Sequence, residues 1–401
     1  MAMLRMGRFL ACLGACLTAA HFPCGAEAPT PTSDQQRLAA EAMPLSGVLV
    51  DALAVDGNVV YVGWHCFGAA PDRGGIQAVD VRDPANPLLL NSLTPGRSPA
   101  ALAVQNGILY VAWRPDQRGA DGSAAKLSQV VEELRKGATV NSLTAAAAKG
   151  DNDEAEIYGV KDPANPKRLS GFPDAKNVEC VAVSGEYAYL ARRDALLIFA
   201  TQDPSKPSLV GRLPIEGWIH DIKLRSNLAY LASNGLKIVD VSVPANPKLV
   251  GEYDSKGESW GVSLVNDRAY VPIEYLRRYL GRASVFDISN PAAPKLLDRF
   301  ATGRGAWHVE TSNNVVFVAG SEELNCYDTG RNCQPLGSYK PREIVGKLLA
   351  AGNRLYVADR YGFQVLDITE PGAPRLLGQY DIYSERERTE AMEKAKAAFQ
   401  K

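Results

Sequence analysis

A proline pair recurs along this chain at nearly constant spacing, and that period limits the fold more than any other feature. The copies read DPANP at 83–87, DPANP at 162–166, DPSKP at 203–207, VPANP at 243–247, NPAAP at 290–294 and EPGAP at 370–374. A seventh, RNCQP at 331–335, keeps only the second proline. That second proline falls at Pro87, Pro166, Pro207, Pro247, Pro294, Pro335 and Pro374; four of the six spacings are 39 to 41 residues and the other two are 79 and 47. Self-similarity at such a period is the signature of a repeat architecture, in which each unit buries its apolar face against its neighbours.

A second marker keeps step with the prolines. It is an aromatic residue followed by a β-branched residue or Leu: Tyr61, Tyr110, Tyr189, Tyr230, Tyr270, Phe317 and Tyr356. Eight residues before it stand Leu53, Leu102, Val181, Ile222, Val262, Val309 and Leu348, and six before it a second, mostly apolar set. Period-two burial predicts strands. Turn residues such as Asp56-Gly57-Asn58 and Asn106-Gly107 between the two strands predict a hairpin. A third strand ends in an Asp, as in Val239-Asp240-Val241, where the prolines stop the ladder because proline has no N–H to donate. A fourth follows, as in 248–253 (KLVGEY). Four strands per unit in seven units predict an all-β fold, a seven-bladed β-propeller of four-stranded blades over residues 47–381.

The units resemble the LVIVD repeat, with GLKIVDVSVPANPKLVGEYD at 235–254 as the best copy. The resemblance covers roughly 47–381 and implies an exported bacterial or archaeal propeller of the periplasm or cell surface. It carries no general catalytic motif. One departure is clear: the repeat Asp, present as Asp80, Asp240, Asp287, Asp328 and Asp367, is replaced by Gly159 and Ala200 in the second and third units. Those two units are expected to lose a turn hydrogen bond.

The flanks read differently. Arg5 and Arg8 precede an apolar run at 9–20, and small residues follow at 24–28 (CGAEA). Residues 1–26 therefore read as a signal peptide, too short in its apolar part to span a bilayer. A lipobox-like LGAC ending at Cys16 leaves a lipid anchor as the less favoured alternative. Residues 27–46 read as a polar linker. Two helical segments are expected: an insertion at about 114–156 in the second blade, where Leu127, Val130, Val131 and Leu134 recur at helical spacing, and a charged C-terminal tail at 382–401. No later stretch is apolar enough for a transmembrane segment.

Charge excludes one class of partner. The formal charge is −1, and removing 1–26 takes it to −3. A nucleic-acid binder carries a strong basic footprint, and this chain has none overall. Beyond residue 26 four cysteines remain: Cys66, Cys180, Cys326 and Cys333. The last two flank a short turn and are the best candidates for a disulfide in an exported chain. No CxxC or CxxCH occurs, and no ligand-spacing motif links His65, His220 and His308, so neither a metal nor a cofactor is expected.

Two places remain for function. Ten residues before each marker aromatic stands the residue that opens the inner strand: Asp51, Ala100, Glu179, His220, Trp260, Trp307 and Gly346. A core position would be uniformly apolar. This one holds carboxylates, a histidine and tryptophans, with Trp218, Asp221, Glu258 and His308 nearby. Seven converging inner strands bring such residues to the mouth of the central channel, where indoles stack rings and carboxylates or imidazole fix polar groups. His220 and His308 sit one register apart, so they are expected to point differently. The second place is the connection between the second and third strands, lengthened near 65–75, 114–156 and 272–282. The last of these groups Tyr275, Arg277, Arg278, Tyr279 and Arg282 as a candidate partner-binding loop.

The reading is a noncatalytic binding or scaffold propeller of the bacterial cell envelope, using that face and the channel mouth, with an envelope protein or small polar ligand as partner. The alternative is a propeller enzyme acting on a carbohydrate or other small polar substrate at the mouth. HExxH and P-loop patterns are absent from the sequence, and GESWG at 257–261, although it has GxSxG spacing, does not stand in the strand-to-helix context of a nucleophile elbow, which leaves the enzyme with less support.

Overall fold

A computed structural model of the chain describes residues 48–66, 74–94, 97–114, 154–274, 280–304, 306–320, 323–329, 333–384 and 387. Among them are seven antiparallel sheets, each built from four strands adjacent in sequence: 48–93, 99–171, 178–214, 221–254, 258–304, 308–339 and 347–381. These are blades 1 to 7 of a β-propeller. The innermost strand of blade 5 is split into Glu258–Ser259 and Ser263–Val265. Val48–Cys66 and Pro71–Ile382 form one compact unit. The remainder forms a second, of which only Tyr383, Ser384 and Glu387 are described.

The repeat pattern explains the packing. The marker aromatics lie on the second strand of each blade and are all buried. Each faces the following blade. Tyr61 joins the cluster between blades 1 and 2, Tyr110 that between 2 and 3, and Tyr230 that between 4 and 5. The apolar residue eight before it faces the preceding blade: Ile222 packs with blade 3 and Val262 with blade 4. Every blade is thus apolar on both faces, and the core is a set of seams rather than one centre. Third strands are accordingly buried almost throughout, whereas fourth strands alternate outward.

The proline loops form the second layer of contacts. In six blades they close the same backbone turn, as when Asn246 N–H donates to Val243 O at 2.8 Å. The repeat Asp caps it: Asp240 Oδ1 accepts from Ser242 N–H at 2.8 Å and Asp287 Oδ1 from Ser289 N–H at 2.9 Å. Blades 2 and 3, which lack that Asp, keep only a second turn bond made by the residue before the proline. Asp162 accepts from Ala164 N–H and Asp203 from Ser205 N–H, as Asp83 does in blade 1 and Asn290 in blade 5 beside their repeat Asp. The expected loss of one turn hydrogen bond therefore stands.

At six of the seven seams the loop also docks on the preceding blade; residues 330–332 of the blade 6 loop lie outside the described residues. A Cβ added to Gly211 would lie 1.9 Å from Pro244 O, one on Gly251 1.9 Å from Pro291 O, and one on Gly337 2.0 Å from Gly372 O. Where the fourth strand carries a side chain at that place, it bonds to the same carbonyl: Asn91 Nδ2 donates to Ala164 O and Ser170 Oγ to Pro204 O, both at 2.7 Å. The ring closes by the same device, with Gly378 of blade 7 against Pro84 O of blade 1. Arg354 Nη1 to Val81 O (2.8 Å), Tyr380 Oη to Gln77 Oε1 (2.9 Å) and Val48 N–H to Arg360 O (3.0 Å) complete the seam. Among the described residues no strand is exchanged between the first and last blades.

Three expectations are corrected or bounded here. Cys326 and Cys333 are free buried thiols, not a disulfide. Cys326 lies in the middle of a strand and faces the seam with blade 7, whereas Cys333, at a positive φ of 57°, tucks into the seam with blade 5. The sheet stands between them. The helical insertion at 114–156 falls mostly outside the described residues, and Ala155 and Glu156 belong to the strand Ala155–Gly159. The C-terminal helix at 382–401 also lies outside them, apart from its first residues. There Ser384 N–H donates to Glu387 Oε2 (2.7 Å) and Glu387 N–H to Ser384 Oγ (3.3 Å), the reciprocal pair of a capping box. The described residues contain no helical element, and none long and apolar enough to cross a membrane.

The closure makes a prediction. Gly378→Ala sets a methyl 1.7 Å from Pro84 O and should destabilise the fold by about 1–3 kcal/mol, read in chemical denaturation. Gly159→Ala meets nothing closer than 3.6 Å and should leave the midpoint nearly unchanged. Equal midpoints for the two variants would show that this contact does not hold the ring.

Candidate functional site

The site begins with a backbone irregularity. In every blade, the residue ten before the marker aromatic is an extra one in its ladder. Asp51, Ala100 and Glu179 fall between paired neighbours, where the register shifts. His220 and Asp221 share Ala232, Trp307 and His308 share Ala319, and Gly346 and Lys347 share Ala358. Trp260 lies in the break of the blade 5 inner strand, its N–H 3.4 Å from Pro272 O. This is a β-bulge repeated seven times, and a bulge re-aims the side chain it carries. Ala100 still packs on the seam between blades 2 and 3, whereas the polar and aromatic bulge residues join none of the seam clusters.

Four planar groups stack across the channel mouth. The Arg193 guanidinium lies over the Trp218 indole at 3.9 Å, Trp218 and His220 are 5.1 Å apart at 31°, and His220 and Trp260 are 4.5 Å apart at 35°. The run crosses from blade 3 through blade 4 to blade 5. Glu179 anchors its start, with Oε1 3.5 Å from Arg193 Nε. Trp218 is 38 % exposed. At the far end Trp260 Nε1 is buried without an acceptor among the described residues. Burial holds His220 down at about 4, Arg193 adding to the effect and Asp221 opposing it, so the ring is neutral at pH 7.

The position after the bulge forms a second layer, inside the channel. Asp221 is buried there, with Lys347 Nζ of blade 7 at 3.8 Å from Oδ1. Its Oδ2 accepts from Val262 N–H of blade 5 at 3.1 Å, and Cys180 Sγ of blade 3 lies 3.9 Å from Oδ1. One turn of the pleat deeper, Lys223 Nζ of blade 4 meets Glu310 Oε1 of blade 6 at 2.5 Å. Blade 4 is not adjacent to blades 6 and 7, so these pairs reach across the channel. Burial alone would raise the Asp221 carboxyl, but Lys347, Lys223 and Val262 N–H hold it below the usual range. Burial works against the charge on Lys223, yet Glu310 and Asp221 keep it above its ordinary value. Burial, with Lys347 adding and Asp221 opposing, takes His308 down to about 3. Burial, with Asp221, pushes the Cys180 thiol up to about 12.

The expected residues therefore divide. Glu179, Trp218, His220 and Trp260 come together in one run. Asp221 and His308 belong to the layer beneath, so the two histidines do point differently. Asp51 makes a separate group, paired with Arg114 and 3.6 Å from His65 Nδ1; burial, against the pull of Asp51, holds His65 below its usual range. Glu258 opposes Glu274 at the start of the blade 5 inner strand. Trp307 adjoins Gly261, and among the described residues its ring stacks on none of the others. Of the candidate loop, Tyr275, Arg277, Arg278 and Tyr279 lie outside the described residues. Arg282 is exposed within the strand Leu280–Asp287, opposite Ile273. Among the described residues no three His, Cys, Asp or Glu side chains are placed to hold a metal ion.

Sequence reasoning missed Arg193, Lys223, Glu310 and Lys347. For the last three the signal was present, since each stands beside an apolar residue of an inner strand, whereas Arg193 lies in the short connection between the second and third strands of blade 3. Tracking only the apolar pair passed over them.

The architecture defines a closed seven-bladed β-propeller with a one-sided polar mouth. The chain carries LVIVD repeats, the family's model matching residues 175–214, 216–255, 279–302 and 345–382. No curated protein matches it in sequence. Among solved structures it is similar to the computationally designed Ika8 protein, at 13% identity and TM-score 0.54 over 83% of this chain and 88% of that one. It is similar to Sqt1 of Saccharomyces cerevisiae, at 10% identity and TM-score 0.54 over 83% and 86%. It is also similar to PorZ, a surface component of the type-IX secretion system of Porphyromonas gingivalis, at 11% identity and TM-score 0.51 over 84% of this chain but 39% of that one. At these identities the likeness is one of fold.

The neutral histidines make the fold acid-sensitive. An unfolded chain protonates them near pH 6.5, whereas the folded one resists until about 4 at His220 and about 3 at His308. The unfolded state thus binds more protons across that window, and stability falls as pH falls through it. His308→Asn should flatten the fall in unfolding midpoint between about pH 6 and about pH 4. A variant with an unchanged slope would refute this assignment.

Proposed function

We propose that this chain is a noncatalytic binding propeller of the bacterial cell envelope. It is exported by its N-terminal segment and works through the face where the mouth and the connections between second and third strands lie. The observation that carries the reading is the stacked run Arg193–Trp218–His220–Trp260 on re-aimed bulge positions. The exposed Trp218 indole and the Trp260 Nε1, buried without an acceptor among the described residues, support it. Ion pairs cross the channel beneath the run.

Binding is favoured over catalysis by the geometry of Glu179. Its Oε1 lies 3.5 Å from Arg193 Nε, so the carboxylate is engaged by a guanidinium rather than set as an acid–base partner of His220. The basic start, apolar run and small-residue site at 5–28 support export. PorZ, similar in fold over 39% of its own length, is a bacterial surface component, which supports an envelope setting. In this reading the mouth takes an envelope protein or a small polar ligand.

The test is a thermal-shift screen of the chain against small polar compounds, repeated on the double variant His220→Ala/Trp260→Ala. A ligand at a hundred times its Kd should stabilise the wild type by about 2.7 kcal/mol and leave the double variant unmoved. If every compound that shifts the wild type shifts the variant equally, the mouth is not the site.

A further inference from the structure

The charge pattern at the mouth narrows the ligand class, an inference that rests on the mouth being a binding site. Every ionised group placed in the run and the layer beneath has an opposite partner: Glu179 with Arg193, Asp221 with Lys347, and Lys223 with Glu310. Both histidines are held neutral by burial. Among the described residues, the run and the layer beneath it therefore leave no charge uncompensated. A cationic ligand approaching Trp218 meets the like charge of the Arg193 guanidinium. An anionic one must desolvate beside Glu179 and Asp221, whose described cations are already paired, at the cost of an unpaired charge.

What the mouth does offer is flat, polar-edged and neutral. Trp218, His220 and Trp260 come from the approach and inner strands of adjacent blades and stand side by side at 5.1 and 4.5 Å. The exposed part of the Trp218 indole gives an apolar ring surface with a positive edge, which suits C–H-rich ring faces. Trp260 Nε1 is a buried donor without an acceptor among the described residues. The neutral imidazole of His220 can donate from one nitrogen and accept at the other. Glu179, only 20 % exposed and loosely held by Arg193, can accept from a hydroxyl. Rings carrying hydroxyls on their rims and C–H groups on their faces meet all of these demands at once. The geometry points to a neutral carbohydrate as the ligand of the mouth, bound without being cleaved.

The experiment is calorimetric titration of the full chain with neutral sugars (glucose, maltose, N-acetylglucosamine and its oligomers) beside charged counterparts (glucosamine and glucuronate). At least one neutral sugar should bind saturably, and its charged counterpart should bind about tenfold more weakly. Trp260→Ala should weaken the neutral sugar by about tenfold, with Trp260→Phe, which keeps a ring and loses the N–H, falling between the two. Far-UV circular dichroism of each variant separates lost binding from lost fold, and the Phe variant decides the matter where the Ala variant does not fold. The inference is overturned if charged and neutral sugars bind alike, or if sugars fail to bind while another compound binds and is lost in the same variants. In the second case the mouth stands as a site and only the ligand class falls. If no compound of any class depends on Trp260 or His220, the mouth reading falls with it.

Discussion

The contact on which the whole ring depends is small: at six of the seven seams, a backbone carbonyl of the proline turn pressed against the fourth strand of the preceding blade. At four seams the fourth strand has a glycine there, and the space for a Cβ is already filled. At two others Asn91 and Ser170 reach the same carbonyl with a hydrogen bond. Apolar side chains between blades slide with little penalty, because hydrophobic burial is not directional. A carbonyl seated in a backbone notch is directional. It fixes the pitch between neighbours, and a constant pitch over seven units is what brings Gly378 back to Pro84. Closure then needs no exchanged strand, because the last seam is made like the others.

A ring of equal blades would be symmetric at its axis, and this one is not. The seven bulges are equivalent in backbone but not in side chain. Blades 1, 2 and 7 present Asp51, Ala100 and Gly346, whereas blades 3, 4 and 5 present Glu179, His220 and Trp260. The repeated bulge supplies a turned-out position at every blade, and sequence variation on that constant frame writes a site on one side only. This division of labour is the reason the stacked run crosses three consecutive blades rather than circling the mouth.

The fold was legible because its determinants are local and repeated. The proline turn, the marker aromatic and the period-two apolar pair each act within one unit, and seven copies average out the exceptions. The inner-strand residues were legible as chemically unusual for the same reason: alignment of the units exposed Glu179, His220 and Trp260 at a place where apolar residues were expected. Their direction was not legible. A bulge is one extra residue opposite one partner, and nothing in the spacing of a single strand announces the partner's count. The thiols failed for a related reason. Seven residues separate Cys326 from Cys333, but a sheet stands between them, and sequence distance does not report which face of a strand a side chain takes.

The channel shows why the missed charges had to be where they are. On the two layers below the bulge, blades 1 and 2 carry Ala52, Ala54, Ala101 and Ala103, and blade 5 carries Gly261 and Ser263. Long side chains come from blades 4, 6 and 7 as Asp221, Lys223, His308, Glu310 and Lys347. Seven strands converging on one axis leave room for few long groups, so small residues on one side make space for large ones on the other, as in small closed barrels. Once inside, those groups are too buried to remain charged alone. Lys347 therefore requires Asp221, and Lys223 requires Glu310, each from across the axis. The pairs that fill the channel are thus a consequence of its width, and they give the mouth above them a floor.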